Sequence, residues 1–204
     1  MSSTAPRVRA GTQGDIRRES GDWVFIDVGF SQAGRTSGLL VNGGEPKELT
    51  FAHLRSELVA TLIKLPGITN LVFEAPLSAA FTKVGNPTGR SIERNGIQHR
   101  YWYEGAGCQV TLSAAYLLRA VIELPEAPEI RLFEGFASFK ERGKKSSHAG
   151  DTKAIRSVAW NEPGASGRIV EPAKLCVQET DRLESAFRVF GFDCGIPAVI
   201  MADI

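Results

Sequence analysis

Residues 23–29 read WVFIDVG. Four apolar residues of β-favouring types stand in a row and end on an aspartate, which marks a strand buried on both faces. The cadence returns twice: NLVFE at 70–74 and EIRLFE at 129–134 are also apolar runs closed by an acid. The ends of these strands, Asp27, Glu74 and Glu134, decide the reading of the chain. In an open α/β sheet the carboxyl ends of parallel strands form the crevice where ligands bind. Neighbouring strands of this kind would bring three carboxylates to one edge.

Outward from these runs, SGLLV at 37–41 reads as a second strand, reached by a hairpin through Gly34, Arg35 and Thr36. NGGEP at 42–46 is a turn before a short third strand at 47–50. Phe51, Leu54, Leu58, Leu62 and Leu65 recur at helical spacing, and Pro66-Gly67 stops that helix. After the strand at 70–74, residues 77–107 are polar and glycine-rich and read as an inserted loop. Residues 109–124 form a long helix ended by Pro125 and Pro128. The strand at 129–134 follows, then SSHAGDTKAI at 146–155, where Ile155, Val158 and Ala159 repeat at helical spacing. A further helix at 179–190 and a last strand, PAVIM at 197–201, complete the pattern. A hairpin start followed by strand–helix alternation predicts an α/β fold, a mixed sheet with helices on both faces. Residues 1–20, rich in Ser, Thr, Gly and Arg, read as a flexible tail, and 21–204 as one domain.

The chain has 204 residues, 43% of them apolar, ample for a buried core. Lys and Arg total 24 against 23 Asp and Glu, which argues against a protein coated in basic charge but leaves room for a local patch. Cys108, Cys176 and Cys194 have neither disulfide nor zinc spacing. With no signal pattern at the start and no apolar run near the ~20 residues of a membrane span, the expected setting is cytoplasmic. The GxxxxGK[ST], GxSxG and GxGxxG patterns are absent, which lowers the case for common NTPases, hydrolases and dehydrogenases.

Converging carboxylates repel unless something neutralises them, and a divalent cation is the usual solution. Mg²⁺ and Mn²⁺ prefer oxygen ligands, and a pair ~3.5–4 Å apart can clamp the attacking and leaving oxygens of a phosphodiester. Asp151 stands in the first turn of its helix, on the side of the apolar stripe, and so can reach the same sheet edge. His148, three residues earlier, can ligate a cation, orient a water or pass a proton. Taken singly, each has an ordinary explanation. An acid at a strand end has reached water, Asp151 complements the helix dipole, and Ser146 or Ser147 caps the helix.

This arrangement resembles the ribonuclease H-like superfamily. Asp27-Val28-Gly29 is similar to the first acidic motif of RuvC-type Holliday-junction resolvases, Glu74 to their second, and His148-Ala149-Gly150-Asp151 to their last. EAPLS after Glu74 and FEGFASFK at 133–140 look closer to an uncharacterised family of predicted nucleases with this fold. The resemblance covers roughly residues 22–160 and implies a sheet of order 3-2-1-4-5. Strands 1 to 3 would be antiparallel, and 4 and 5 parallel to strand 1. It further implies a metal-dependent nuclease with a two-metal mechanism. Asp27, Glu74, Asp151 and His148 would be ligands of Mg²⁺ or Mn²⁺, and Glu134 a fourth acid. Gly29 occupies the position where exonucleases of the superfamily carry a second acid. Resolvases act as dimers, so a homodimer is a further implication, although no apolar stripe here marks a dimer face.

Two stretches supply cations for a nucleic-acid partner, DNA or RNA. Residues 82–104 hold Lys83, Arg90, Arg94 and Arg100 beside Tyr101-Trp102-Tyr103, and FKERGKK at 139–145 holds Lys140, Arg142, Lys144 and Lys145. Cations meet phosphates and aromatics stack on bases. Arg90, Arg94, Arg100, Trp102, Lys140, Lys144 and Lys145 are therefore the expected contacts, unless the aromatics only pin their loop to the core. Two other functions fit the same features. One is a catalytically silent binding module. The other is a nucleotide-binding domain of actin or sugar-kinase type, which normally needs two such domains.

Overall fold

The computed structural model describes residues 7–30, 34, 36–65, 67–125, 128–137, 139 and 147–204. The strands are β1 Val8–Ala10, β2 Asp22–Asp27, β3 Ser37–Val41, β4 Lys47–Leu49, β5 Ile68–Glu74, β6 Ser78–Phe81 and β7 Pro87–Thr88. They continue as β8 Arg94–Asn95, β9 Gln98–His99, β10 Glu129–Phe136, β11 Gly167–Val170, β12 Arg182–Ser185 and β13 Val199–Ala202. The α-helices are α1 Phe51–Leu62, α2 Gly105–Ile122 and α3 His148–Ala159.

The main sheet runs β11-β13-β10-β5-β2-β3-β4, with β1 also on β10. β2, β5, β10 and β13 are parallel, whereas β3 is antiparallel to β2, β4 to β3 and β11 to β13. The protein is thus an α/β fold with a mixed sheet whose central strands are parallel. Alternation along each strand divides the core. Val24, Ile26, Leu71, Phe73, Ile130 and Leu132 meet α1 and α2 through Leu54, Leu58, Leu117 and Leu118. Trp23, Phe25, Val72 and Phe133 face the other way and meet Ile155 and Ala159 of α3. Each such fully buried side chain contributes roughly 1.5–3 kcal/mol. α2 has the length and hydropathy of a membrane span, but its Ala114, Leu117, Leu118 and Val121 are packed in this core.

Three expectations change. Residues 7–20 are not a tail: β1 pairs in parallel with Ile130–Leu132 of β10, the same edge that β13 takes further along. Arg9 and Asp15 then lock the segment by a two-point ion pair, at 3.1 and 3.2 Å. Residues 179–190 hold β12 and a short 3₁₀ helix, Ala186–Phe190, instead of an α-helix. Residues 77–107 are an ordered insertion. β6 joins β12 and β7 in a small second sheet, and β8 and β9 form a hairpin.

Candidate metal centre

Asp27 and Glu74 are the last residues of β2 and β5 and stand opposite each other in register. Glu74 in turn pairs with Gly135 of β10. These three therefore occupy one row on the face covered by α3. Ser147 caps α3, its Oγ accepting from the Gly150 N–H at 3.1 Å. The capped turn starts with His148 and places Asp151 one turn before buried Ile155. An i, i+4 relation puts both on the sheet-facing side.

His148 Nδ1 lies 2.9 Å from Asp27 Oδ2. Ligand atoms of Asp27, His148 and Asp151 all fall within 4.8 Å of one another. Glu74 Oε1 accepts from the Ala137 N–H at 3.3 Å, which fixes it over the same cleft. The cleft measures about 330 Å³, and Asp27, Glu74, His148, Asp151, Arg100 and Phe139 line it.

Burial pushes the Asp27 carboxyl above its ordinary pKa; His148 pulls it back, and the Asp151 carboxyl pushes it up again. Carboxyls brought together in a buried place are an arrangement that a cation can neutralise. Asp27, Asp151 and His148 offer two carboxylates and one imidazole, with Glu74 in the same cleft, a donor set that could hold a divalent cation.

Two glycines make room for this contact. A Cβ on Gly29 would lie 2.4 Å from His148 Nε2, and one on Gly38 would lie 2.5 Å from the His148 carbonyl oxygen. The glycine of the Asp27-Val28-Gly29 run is thus a steric requirement of the histidine.

Glu134 does not join the cluster. It pairs with Phe73, one residue out of the Asp27–Glu74 row, and so faces α1 and α2. There its Oε2 accepts from the Leu77 N–H at 2.8 Å and from Arg90 at 2.7 Å. Gly135 holds the slot in the row, where a Cβ would meet Ile155 Cδ1 at 2.9 Å. Arg90 is fully buried between Glu134, Glu93 and Ser78, so it is a structural cation and not a nucleic-acid contact. Arg100 does reach the cleft. Arg94 is exposed, with its Nε donating to Tyr101 Oη at 2.6 Å. Trp102 is half-buried, donates to the Thr88 carbonyl at 2.9 Å and packs edge-on to Phe81, so it pins the insertion. Lys140, Lys144 and Lys145 lie outside the described residues.

Phe139 and the Ala137 N–H belong to the site and were not singled out by sequence reasoning. The small residues at 135 and 137, in alternation after Phe133, are the signal for a close approach on that face. Together the fold and the cluster define an α/β protein with a histidine–carboxylate centre at the carboxyl ends of parallel strands. No protein-family model matches the chain, and comparisons with curated proteins and with solved structures find no match.

Proposed function

We propose that the protein is a divalent-cation-dependent nuclease of ribonuclease H-like type that hydrolyses phosphodiester bonds by a two-metal mechanism. The observation that carries this reading is the meeting of Asp27, His148 and Asp151 within 4.8 Å, in a cleft also lined by Glu74. The order β4-β3-β2-β5-β10 supports it, being the 3-2-1-4-5 arrangement implied by the resemblance.

Asp27, Asp151 and Glu74 would hold the cations, with His148 beside them. Bound divalent cations supply charge neutralisation at the phosphate and a water acidified enough to attack it. Asp27 lies against the imidazole at Nδ1, and Nε2, beside Gly29, would accept or return a proton. Arg100, which lines the same cleft, would meet a non-bridging phosphate oxygen.

The test is a cleavage screen. Purified protein and the Asp27→Asn variant meet labelled single-stranded DNA, duplex DNA, four-way junction, RNA and RNA–DNA hybrid, with Mg²⁺, Mn²⁺ or chelator. The expected result is metal-dependent cutting that the variant loses by a factor of ~10² or more. Equal cutting by the variant, or none by the wild type under any cation, overturns the reading.

A further inference from the structure

We infer that the polar cavity beside the candidate catalytic cleft is a second phosphate-binding subsite, which takes the continuation of a single nucleic-acid strand lying across the cleft. The inference rests on the nuclease reading and extends it to the path of the substrate.

This cavity measures about 590 Å³ and is lined by Arg94, Asn95, Phe139, Arg168 and Asp203, with Met201 of β13 among the apolar residues. Its size suits one nucleotide-sized ligand. Two features join it to the cleft. Phe139 lines both concavities. The β8–β9 hairpin carries Arg94 opposite His99, and the next residue, Arg100, is tied back to the Glu93 carbonyl at 2.9 Å. One hairpin thus presents one arginine to each concavity.

The chemistry suits a phosphodiester backbone. Arg94 is oriented by its bond to Tyr101 Oη and lies 5.5 Å from that ring's centroid, which leaves its terminal nitrogens for a ligand. Arg168 enters from β11, where it pairs with Met201. Among the described residues neither has a carboxylate within ion-pair reach, whereas Arg9, Arg90, Arg119, Arg131, Arg156 and Arg188 each do. The Asp203 carboxylate also lines the cavity and accepts from Ser166 Oγ at 3.1 Å. Guanidinium groups grip phosphate by paired donors, and Phe139 offers a ring between the two concavities on which a base can stack. Its backbone has φ 66°, a region that a bulky side chain rarely adopts.

The test reads binding in chelator, where no cutting occurs. Fluorescence anisotropy follows labelled DNA and RNA strands of about a dozen nucleotides, and a trinucleotide, over a range of KCl. The proteins are wild type, Arg94→Ala/Arg168→Ala, Phe139→Ala, and Arg55→Ala/Lys64→Ala, which removes the same charge from α1 and the turn after it. Matching circular-dichroism melts check folding. Losing two phosphate contacts should weaken the longer strand about tenfold or more and lower its salt slope by about 1.4. Phe139→Ala should also weaken it, while the arginine variant should bind the trinucleotide like wild type and the α1-side variant should match wild type on both ligands. If the arginine variant binds the longer strand with wild-type affinity and slope, the subsite is wrong, and cutting by wild type still upholds the nuclease reading. Equal loss on the trinucleotide would assign both arginines to the cleft and also overturn the subsite. A wild type that binds strands but cuts none would refute the nuclease alone; one that does neither refutes both.

Discussion

His148 Nδ1 lies 2.9 Å from Asp27 Oδ2, joining the first residue of α3 to the last residue of β2. The contact ties the start of a helix to the end of a central strand, so the position of α3 and the geometry of the cluster are one property. It also depends on what is missing nearby, because Gly29 and Gly38 have no side chain to hold the imidazole away.

Gly29→Ala should therefore disable the centre without altering any of its donors. The added carbon would lie 2.3 Å from the Thr36 carbonyl oxygen and 2.4 Å from His148 Nε2, so either the backbone or the ring must move. Overpacking of this kind costs roughly 1–3 kcal/mol. Thermal melting should show that loss, and the stabilisation by Mn²⁺ should shrink. Gly14→Ala is the control, since its nearest neighbour, Thr12 Oγ1, is 3.6 Å away; it should melt like wild type.

Asp27→Asn should stabilise the cation-free protein while removing its response to cation. Burial raises the Asp27 pKa, so the native state keeps this proton to a higher pH than the unfolded chain does. The contribution to stability is then most favourable below the unfolded pKa and is lost as pH rises through the folded one. Ionising this carboxyl in its buried site opposes folding, and asparagine avoids that cost while its amide oxygen can still accept from His148. The expected gain is on the order of 1 kcal/mol without cation. Wild type should gain melting temperature with Mn²⁺ and the variant should not.

Much of this centre was legible because strand endings are local. WVFID and NLVFE each display an apolar run and the acid that closes it, and HAGD displays the start of a helix with its stripe. RLFE displays the same signature, yet Glu134 belongs to the other face. Side chains alternate with period two, and the register of β10 against β5 is one residue away from the alignment its wording suggests. Register is a relation between strands, and no single run contains it. The same holds for β1, whose three residues earn their place from an edge of β10 more than a hundred positions on. At 179–190, Leu183, Ala186, Phe187 and Phe190 have helical spacing, but the pairing of β12 with β6 draws the first half into a strand. Arg90 looked like an exposed cation because only one of its two buried acidic partners, Glu93, is near it in sequence.

Asp15→Asn should reveal that residues 7–20 belong to the fold. Arg9 holds the Asp15 carboxyl far below the usual carboxylate range, helped by the Thr12 N–H and hydroxyl. A depressed pKa contributes stability above the unfolded value and loses it as pH falls through the folded one. The variant should be less stable at pH 7 by about 1 kcal/mol, a value limited by solvent at the partly exposed Arg9. In urea unfolding the gap to wild type should narrow below about pH 4.

Arg90 and Glu134 offer the sharpest separation of scaffold from chemistry. Arg90→Ala leaves Glu93 and Glu134 buried with no cation between them, and breaking such a pair from one side costs roughly 3–5 kcal/mol. Glu134→Gln is milder, since Arg90 and Glu93 remain a matched pair and the amide oxygen can still accept from the Leu77 N–H. A loss of about 1 kcal/mol is expected there. Because Glu134 faces away from the Asp27–Glu74 row, Glu134→Gln should keep cleavage within a few-fold of wild type. Arg100→Ala should do the reverse, leaving urea unfolding unchanged and weakening strand binding, because its exposed guanidinium lines the cleft. Cleavage abolished in Glu134→Gln at unchanged stability would restore that acid to the centre and contradict the register that separates the two faces.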